Sequence, residues 1–497
     1  MIIFISPGEN GYESHSNCII ISLFSHAFLT PLLKKKFRSL YIFSLVLYSL
    51  LLFLTGKTFF YVESMGPIRY WIGGWIPPIG IELYADKLSV FMATLFLSCA
   101  LLILVSFESF KYEIGEEKAA YYFMLVSILI GAMLGIIFTR DLFNLYVFVE
   151  ITTIAACGII SIKNEKKAVE AALKYFILSS IASTSILLGL ILIYNIGGYL
   201  HYDTLKSVLL ESKDVFPKII SGSLVLIISG FSLKSALFPL HIWLPDAHSA
   251  APTTSSALLS GLVIKVYVFA IIRLLNDVFG LMYTYTSILL EVLLALGNVG
   301  VFSGAVLAGF QNDIKRRLAY SSVSQMGYVF LGLGFNNQYG FEGALLQVLN
   351  HALAKSGLFL AAGWMVKFTG TRDIKGLEKI SDKLPLTALC FSVCAMSLVG
   401  MPFTLGFLSK WHLAMAAIES GRPLQLIFII LSALLTLSYY FPIIVKAFTG
   451  DKSFERKLEF EKIKGGSLIS ILIFTFVIMF LGIYPKFLLK YLLQNMF

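Results

Sequence analysis

Residues 231–248 read FSLKSALFPLHIWLPDAH and place a lysine inside an otherwise apolar segment, shortly before a proline. Lys234 precedes Pro239 by five residues, and the apolar run continues to Trp243. Proline removes a helical hydrogen bond. A broken helix at membrane depth is tolerated where it is buried in protein or lines a water-filled cavity. The stretch therefore predicts an interrupted membrane-spanning helix with a lysine at its break.

The composition supports a membrane location for the whole chain. Of its 497 residues, 58% are hydrophobic and 14% are charged, whereas soluble proteins have about 25% charged residues. A membrane-spanning helix needs roughly 20 mostly apolar residues, and the sequence predicts an all-α, polytopic protein with about fourteen such spans. The predicted spans are 17–33, 39–56, 86–107, 119–138, 142–162, 169–195, 219–244, 254–275, 283–309, 316–335, 341–366, 384–411, 423–445 and 467–489.

The distribution of basic residues predicts the orientation. With the N-terminus outside, the inside loops contain roughly twice as many Lys and Arg residues as the outside segments, as the positive-inside rule requires. We therefore expect both termini outside, in the cytoplasmic membrane of a prokaryote. The basic residues are dispersed among short loops, which argues against binding of nucleic acid.

A second interruption lies at residues 400–407, GMPFTLGF, ahead of Lys410. It lies five spans after the first, which is the spacing of inverted five-helix repeats; two unrelated proline kinks are the alternative. The predicted division is an N-terminal three-helix region, two repeats, and a C-terminal loop with the last helix. Their bounds are 1–118, 119–280, 281–450 and 451–497.

Charged side chains inside the predicted spans are the main functional signal. A charge at the bilayer centre costs roughly 2.5–3.5 kcal/mol on insertion scales, so a series of them indicates a route for small ions. The residues concerned are Glu150, Lys174, Lys234, Lys265, Lys355 and Lys410.

Glu150 and Lys234 are predicted partners. Burial disfavours the charged form of a carboxylate, and a nearby lysine favours it. A buried Glu–Lys pair can therefore switch protonation when its distance or hydration changes. A static structural ion pair is the alternative.

The later spans carry further candidates for proton transfer. His351 and Lys355 are spaced i,i+4 and are therefore neighbours on one helix face. Lys265 lies in the middle of its span, and Lys410 follows the second break. Two cations on one buried face disfavour each other's charged form, as a proton relay requires.

Three further residues are possible relay groups, each with an ordinary alternative. His241 follows the first break and suits relay work, but it also fits a structural histidine. Lys174 lies near the inside end of its span, where it could snorkel to the interface. Asp141 lies at the outer end of the span of Glu150 and could be an interface charge. We interpret His248 and His412 as ordinary, and we expect no metal site, because the five cysteines form no C-x2-C pair.

Three blocks carry a resemblance to a known family. The first is residues 231–248 followed by PTTSSALLSG at 252–261; the others are DIKRRLAYSSVSQMGY at 313–328 and LVGMPFTLGFLSK at 398–410. They resemble the antiporter-like subunits of respiratory complex I, of Mrp sodium/proton antiporters and of membrane-bound hydrogenases. KVYVFAIIR at 265–273 is more similar to the Mrp D-type and hydrogenase-type branch.

The resemblance implies a fold of fourteen helices with two inverted repeats and assigns proton-transfer roles. The residues matching the family's positions are Glu150, Lys234, Lys265, His351, Lys355 and Lys410. It also implies partners in the membrane, namely other antiporter-like and small helical subunits, together with a peripheral redox module. The chain itself is expected to hold no cofactor and no catalytic site.

The predicted function is proton translocation within a multisubunit redox-driven pump. One alternative is an Mrp-type subunit that exchanges Na⁺ for H⁺. Another is a scaffold that keeps the fold without conducting ions; retention of every charged position argues against it.

Overall fold

The computed structural model describes residues 14–280, 284–450 and 466–492. In these ranges α-helices dominate, numbered here in chain order. They are α1 His15–Leu29, α2 Phe37–Met65, α3 Lys87–Val105, α4 Phe107–Phe110, α5 Glu116–Phe138, α6 Leu142–Ser161, α7 Lys166–Gly197, α8 Tyr202–Ser212, α9 Pro217–Lys234, α10 Trp243–Ala250, α11 Thr253–Leu258, α12 Ile264–Arg273, α13 Thr284–Gly309, α14 Ile314–Gly334, α15 Gln338–Thr369, α16 Pro385–Val399, α17 Leu405–Glu419, α18 Pro423–Phe448, α19 Ser467–Ile483 and α20 Pro485–Leu492.

The predicted polytopic, all-α fold is confirmed. Within the described ranges, eleven helical segments are long and apolar enough to cross a membrane, or twelve if a bent pair that includes α16 is counted. The three remaining predicted spans coincide with α14, with α16 and α17 together, and with α19. α14 carries three basic residues in its first turn, and a break divides α16 from α17.

A small β-hairpin marks one face of the molecule, which we call the hairpin face. Strand β1, Ile68–Trp71, pairs antiparallel with β2, Glu82–Ala85. Single bridges join Leu83 to Thr139 and Asp141 to His201, so the hairpin is tied to the starts of α6 and α8. α2 extends to Met65, and the hairpin follows it directly.

The opposite face, which we call the basic face, is organised around a buried carboxylate. Glu113 lies between α4 and α5, with Lys163 at 3.4 Å and Lys315 at 4.0 Å. Its two oxygens accept hydrogen bonds from Thr253, one from the backbone N–H at 2.8 Å and one from the hydroxyl at 2.6 Å. Glu113 therefore caps the start of α11 and fixes that end of the span Thr253–Phe279, which we call the central span.

Both predicted helix breaks are present. α9 ends at Lys234, and helix resumes at Trp243 as α10; α16 ends at Val399, and helix resumes at Leu405 as α17. α9 starts on the hairpin face beside α8, whereas α16 starts on the basic face. The two broken spans therefore run in opposite directions, as inverted repeats require. The predicted repeat bounds stay a prediction. The boundary at 280/281 borders residues 281–283, which lie outside the described ranges, as do residues 1–13, 451–465 and 493–497.

The central span and α15 are buried along nearly their whole length. Between α11 and α12, residues 259–263 form one turn of π-helix. Gly261 lies in this turn, and a Cβ added there would stand 2.3 Å from the Ser356 hydroxyl oxygen on α15. Glycine is needed because the helices touch at this point, next to Lys265 and Lys355.

Candidate functional site

Lys234 lies at the first break and is fully buried. Its ammonium group donates a 2.7 Å hydrogen bond to the Thr153 hydroxyl and lies 5.6 Å from the centre of the Tyr267 ring. Thr153 follows Glu150 by three residues on α6, so the two side chains share one helix face. The hydroxyl thus links the lysine to the surface that carries the carboxylate.

Glu150 makes no direct ion pair with Lys234 among the described residues. One carboxylate oxygen of Glu150 is buried and has no hydrogen-bond partner in the described protein. The static ion pair, which is the alternative to a switching pair, is therefore absent from this conformation.

Lys265 is fully buried on α12, two residues beyond the π-helical segment. Its ammonium group donates a hydrogen bond to the Ser260 carbonyl, which π-helical geometry leaves available. π-turns inside α-helices occur frequently at functional sites. The Ser260 hydroxyl lies 2.9 Å from the hydroxyl of Ser322 on α14. The residue that accepts the hydrogen bond from Lys265 therefore also contacts the second half of the molecule.

His351 and Lys355 lie on one face of α15, as predicted, and both are fully buried. Lys355 donates hydrogen bonds to the Leu318 carbonyl at 2.7 Å, to the Ser321 hydroxyl, and to the Tyr440 hydroxyl at 3.2 Å. Both ring nitrogens of His351 lack a hydrogen-bond partner in the described protein. The site thus combines a lysine solvated by neutral oxygens with a buried histidine whose ring nitrogens make no hydrogen bond in the described protein.

Neutral side chains continue the path beyond Lys355. The rings of Tyr439 and Tyr440 lie 4.6 Å apart, centre to centre. The amide of Gln325 donates to the Tyr439 hydroxyl at 3.5 Å, and the Gln347 amide donates to the Gln325 oxygen at 2.6 Å. Ser409 on α17 then donates to the Gln347 oxygen at 2.9 Å. The sequence analysis did not identify these residues.

Lys410 follows Ser409 directly and lies against the second break. Its ammonium group donates a 2.7 Å hydrogen bond to the Val399 carbonyl, which the end of α16 leaves free, and lies 4.6 Å from the centre of the Tyr328 ring. Gly400 has φ of +94°, and a Cβ added there would stand 2.8 Å from Cδ of Lys410. The lysine stem therefore packs against a position that favours glycine, both for its backbone conformation and for the lack of space for a Cβ.

The proposed buried cations share one property. In the described part of the chain, the ion pairs within 4 Å that join an acidic side chain to a lysine do not include Lys234, Lys265, Lys355 or Lys410. A buried charge without a counter-ion costs several kcal/mol. The arrangement therefore fits groups that gain and lose protons more readily than it fits permanent ion pairs.

The possible relay residues lie in different surroundings. His241 is 7% exposed and stacks on Phe238, with ring centres 5.2 Å apart. Asp141 caps α6 by accepting a 2.7 Å hydrogen bond from the Asn144 N–H, and burial raises the pKa of its carboxyl group. Lys174 is half exposed and pairs with Glu170 at 3.0 Å and with Asp246 at 3.2 Å. These contacts support the alternative in which Lys174 extends to the membrane interface.

His248, which the sequence analysis interpreted as ordinary, is buried in the interior. It is fully buried on α10 and stacks on Phe359 at 5.2 Å between ring centres. Both of its ring nitrogens lack hydrogen-bond partners in the described protein. Its proline- and alanine-rich surroundings in the sequence gave no signal of this isolation.

One group of side chains on the hairpin face has the ligand types of a metal site. The donor atoms of Glu82, His201 and Asp203 lie within 4.8 Å of one another. However, the guanidinium group of Arg69 lies 3.4 Å from Glu82 and 3.5 Å from Asp203. This cation already supplies the positive charge that a metal ion would bring, so the group does not carry a metal assignment. The expectation of no metal site stays a prediction.

Comparison with known proteins gives consistent results. The family model described as NADH:quinone oxidoreductase/Mrp antiporter, transmembrane, matches residues 139–436. The chain is 37% identical over 382 residues to the N subunit of NADH-quinone oxidoreductase from Desulforudis audaxviator, covering 77% of this chain and 75% of that protein. It is 31% identical over 424 residues to the D-type subunit of a Na(+)/H(+) antiporter from Alkalihalophilus pseudofirmus, covering 85% and 84%. A chain of the archaeal membrane-bound sulfane sulfur reductase superposes with a TM-score of 0.87 at 30% identity, covering 96% of both chains.

Proposed function

The chain belongs to the NADH:quinone oxidoreductase/Mrp antiporter family of membrane subunits, and from this premise we propose that it carries protons across a prokaryotic membrane as one subunit of a larger complex. One observation carries the proposal. Its buried lysines are solvated by hydroxyl and carbonyl oxygens instead of carboxylates. A structural core avoids such groups because they are costly when unpaired.

The proposed route runs along the centre of the molecule. Protons exchange near Glu150 and Lys234, pass Lys265, and reach His351 and Lys355. They continue through the neutral hydroxyl and amide groups toward the helix of Lys410. Adding a proton to one lysine repels charge from the next, which couples the steps electrostatically.

We propose that the driving reaction belongs to partner subunits. Relatives are named as subunits of an NADH-quinone oxidoreductase and of a Na⁺/H⁺ antiporter, and the chain is similar to part of an archaeal respiratory membrane complex. Other antiporter-like and small helical subunits, with a peripheral redox module, would complete the complex. The proposed orientation puts the hairpin face outside the cytoplasmic membrane.

A second candidate function is Na⁺/H⁺ exchange of the Mrp type. The observation that favours it is the coverage of the antiporter relative, which extends over 85% of this chain. Both functions use the same buried lysines, so the residues of the route do not decide between them. The remaining alternative is a scaffold that does not conduct ions. It does not explain why the protein contains buried lysines without counter-ions.

Ion uptake into vesicles that contain the intact native complex tests the proposal. Candidate electron donors are added with and without Na⁺, and a pH-sensitive dye reports internal pH. Redox-driven acidification that is independent of Na⁺ supports the proton pump. Uptake that requires Na⁺ supports the exchanger. Absence of transport by a complex with verified redox activity contradicts both and favours the scaffold.

A further inference from the structure

A carboxylate and an imidazole are paired between α15 and α17. The Oε2 atom of Glu342 lies 3.5 Å from Nε2 of His412, and their side chains are 8% and 10% exposed. Nδ1 of His412 donates a 2.9 Å hydrogen bond to the Leu408 carbonyl. Because a carbonyl can only accept, the proton on Nδ1 is fixed, and Nε2 faces the carboxylate.

The pair is connected to the hairpin face. The amide of Gln338 donates a 2.9 Å hydrogen bond to Oε1 of Glu342. Gln338 is exposed and lines a surface cavity of about 270 Å³, together with Asn276, Asn336 and Asn337. Amide side chains offer both donors and acceptors, and the volume is ample for several water molecules. Glu342 is thus separated from this surface cavity by one hydrogen-bonded side chain.

The pair is also connected to the buried route. Ser409, where the chain of neutral side chains ends, precedes His412 by three residues on α17, so the two are neighbours on one helix face. The Ser409 hydroxyl also lies 3.1 Å from the carbonyl of Gly343, the residue after Glu342. A Cβ added at Gly343 would stand 2.8 Å from the Leu413 side chain. α15 and α17 are therefore in close contact where the route meets the pair.

Lys410 points in another direction. Its ammonium group is directed toward the carbonyl of Val399 and the ring of Tyr328, at the helix break. From this arrangement we infer that Glu342 and His412 form the proton-exchange station between the buried route and the hairpin face, and that Lys410 does not open to this face by itself. This inference rests on the proposed proton transport.

The station moves one proton at a time without any other reactant. A proton arriving by water near Ser409 binds to the Nε2 lone pair of His412. The Nε2–H bond then breaks as the proton passes to Oε2 of Glu342. The neutral carboxylic acid releases the proton to water in the cavity, and the starting states of both side chains are restored. Transport in the opposite direction reverses these steps.

The test compares three variants in vesicles that contain the intact complex. Glu342→Gln keeps the size of the side chain and an oxygen for the Gln338 amide but removes the exchangeable proton. We expect transport to fall roughly tenfold or more, the scale on which a positioned proton-transfer group acts. Glu342→Asp restores a carboxyl group and is expected to recover part of the rate. Co-purification of the partner subunits confirms assembly in each case.

Glu291→Gln is the matched control. Glu291 is an exposed carboxylate near the same face, and it pairs with Arg422 at 2.9 Å. It lies away from the proposed route, and its variant should transport at the wild-type rate. A wild-type rate for Glu342→Gln would overturn the station.

Two further variants separate this inference from the proposed function. Lys355→Met removes a buried lysine of the route, and its loss of transport beside a normal Glu342→Gln rate would overturn the station alone. Wild-type transport by Lys355→Met would overturn the route and the station together. If Glu342→Gln does not assemble, His412→Gln decides: loss of transport in an assembled complex supports the station, and a wild-type rate overturns it.

Discussion

A fully buried histidine with two unpartnered ring nitrogens destabilises the folded protein. A role in function is a reason for keeping it despite this cost. His351 is such a residue, in the described part of the chain, and it lies one helical turn from Lys355. Leaving a buried polar group without a hydrogen bond costs about 1–3 kcal/mol. Replacing it with an apolar side chain of similar size should remove this penalty.

We therefore predict that His351→Leu lowers transport by roughly tenfold or more while the free energy of unfolding stays equal or rises by up to about 1–3 kcal/mol. Transport is measured by vesicle acidification, and stability by thermal unfolding of the assembled complex. A structural histidine would behave in the opposite way: the variant would lose stability, and each assembled complex would transport normally.

The sequence identifies some residues of the site and not others, for a physical reason. A lysine inside an apolar span is so costly that it has few ordinary explanations. Lys234, Lys265 and Lys355 could therefore be identified as candidate site residues from the sequence. Gln325 and His248 carry no charge at neutral pH and are unremarkable in a helix. Their part in the site depends on neighbours that are distant in sequence, such as Gln347 for Gln325.

At the scale of single elements, the second broken helix depends on one glycine. Gly400 has φ of +94° and ends α16. Residues with a Cβ adopt left-handed conformations at a cost of roughly 1–2 kcal/mol. Gly400→Ala should therefore lower stability by about that amount, and the added methyl group should displace Lys410 and reduce transport. Thermal unfolding and vesicle acidification measure the two effects.

Gly222→Ala is the matched control for that variant. Gly222 lies inside α9, and a Cβ added there meets no heavy atom within 4 Å. Alanine in a helix interior is favoured over glycine by roughly 0.8–1.0 kcal/mol, so this variant should be at least as stable as the wild type and transport normally. Equal behaviour of the two alanine variants would contradict the special role of Gly400.

The start of the central span depends on Glu113 in a pH-dependent way. Burial opposes ionisation of Glu113, but Lys315 and Lys163, with the two hydrogen bonds from Thr253, outweigh it and hold its pKa below the usual range. A lowered folded-state pKa gives stability that is fully present above the unfolded pKa, roughly 4.3, and that is lost as pH falls through the folded value.

Glu113→Gln should therefore lower the unfolding temperature of the complex at neutral pH. The difference from wild type should shrink as pH falls below the ordinary glutamate pKa. Glu117→Gln, on the exposed first turn of α5, is the control and should show little effect at any pH. A difference that is constant from neutral to acidic pH would mean that the charge of Glu113 is not the cause.

Element boundaries were predictable where the sequence carries a breaker. Proline and glycine marked both interrupted spans, and α9 and α16 end at Lys234 and Val399, within those segments. The π-helical turn at 259–263 was not predictable, because its Gly261 is in close contact with α15, a segment distant in sequence. The hairpin was also not predicted, because its two strands have only four residues each and pair across an intervening segment, with one further bridge from Leu83 to Thr139.

For the whole molecule, the decisive property is the arrangement of two broken spans that run in opposite directions. The order of the elements followed from hydrophobic pattern alone, and the opposite directions follow because an even number of spans, four, lies between the two broken ones. What the sequence could not show is whether the two halves form one route or two. The hydroxyl contact of Ser260 with Ser322 joins the first half to the second, and contacts that run from Lys355 through Gln325 to Ser409 continue within the second half.

A single continuous route predicts a specific pattern of double-variant behaviour. Lys234 and Lys410 lie in different halves, and each is solvated by its own helix break or neighbour. In a serial route, Lys234→Met and Lys410→Met each reduce transport to the same low level. The double variant is then no slower than either single variant, because one blocked step already limits the flux; such non-additivity is the mark of residues that act as a unit. Two parallel half-channels would instead leave each single variant with part of the flux and remove it only in the double variant. Vesicle acidification by the three assembled complexes distinguishes these outcomes, and partial transport by both single variants would contradict the continuous route.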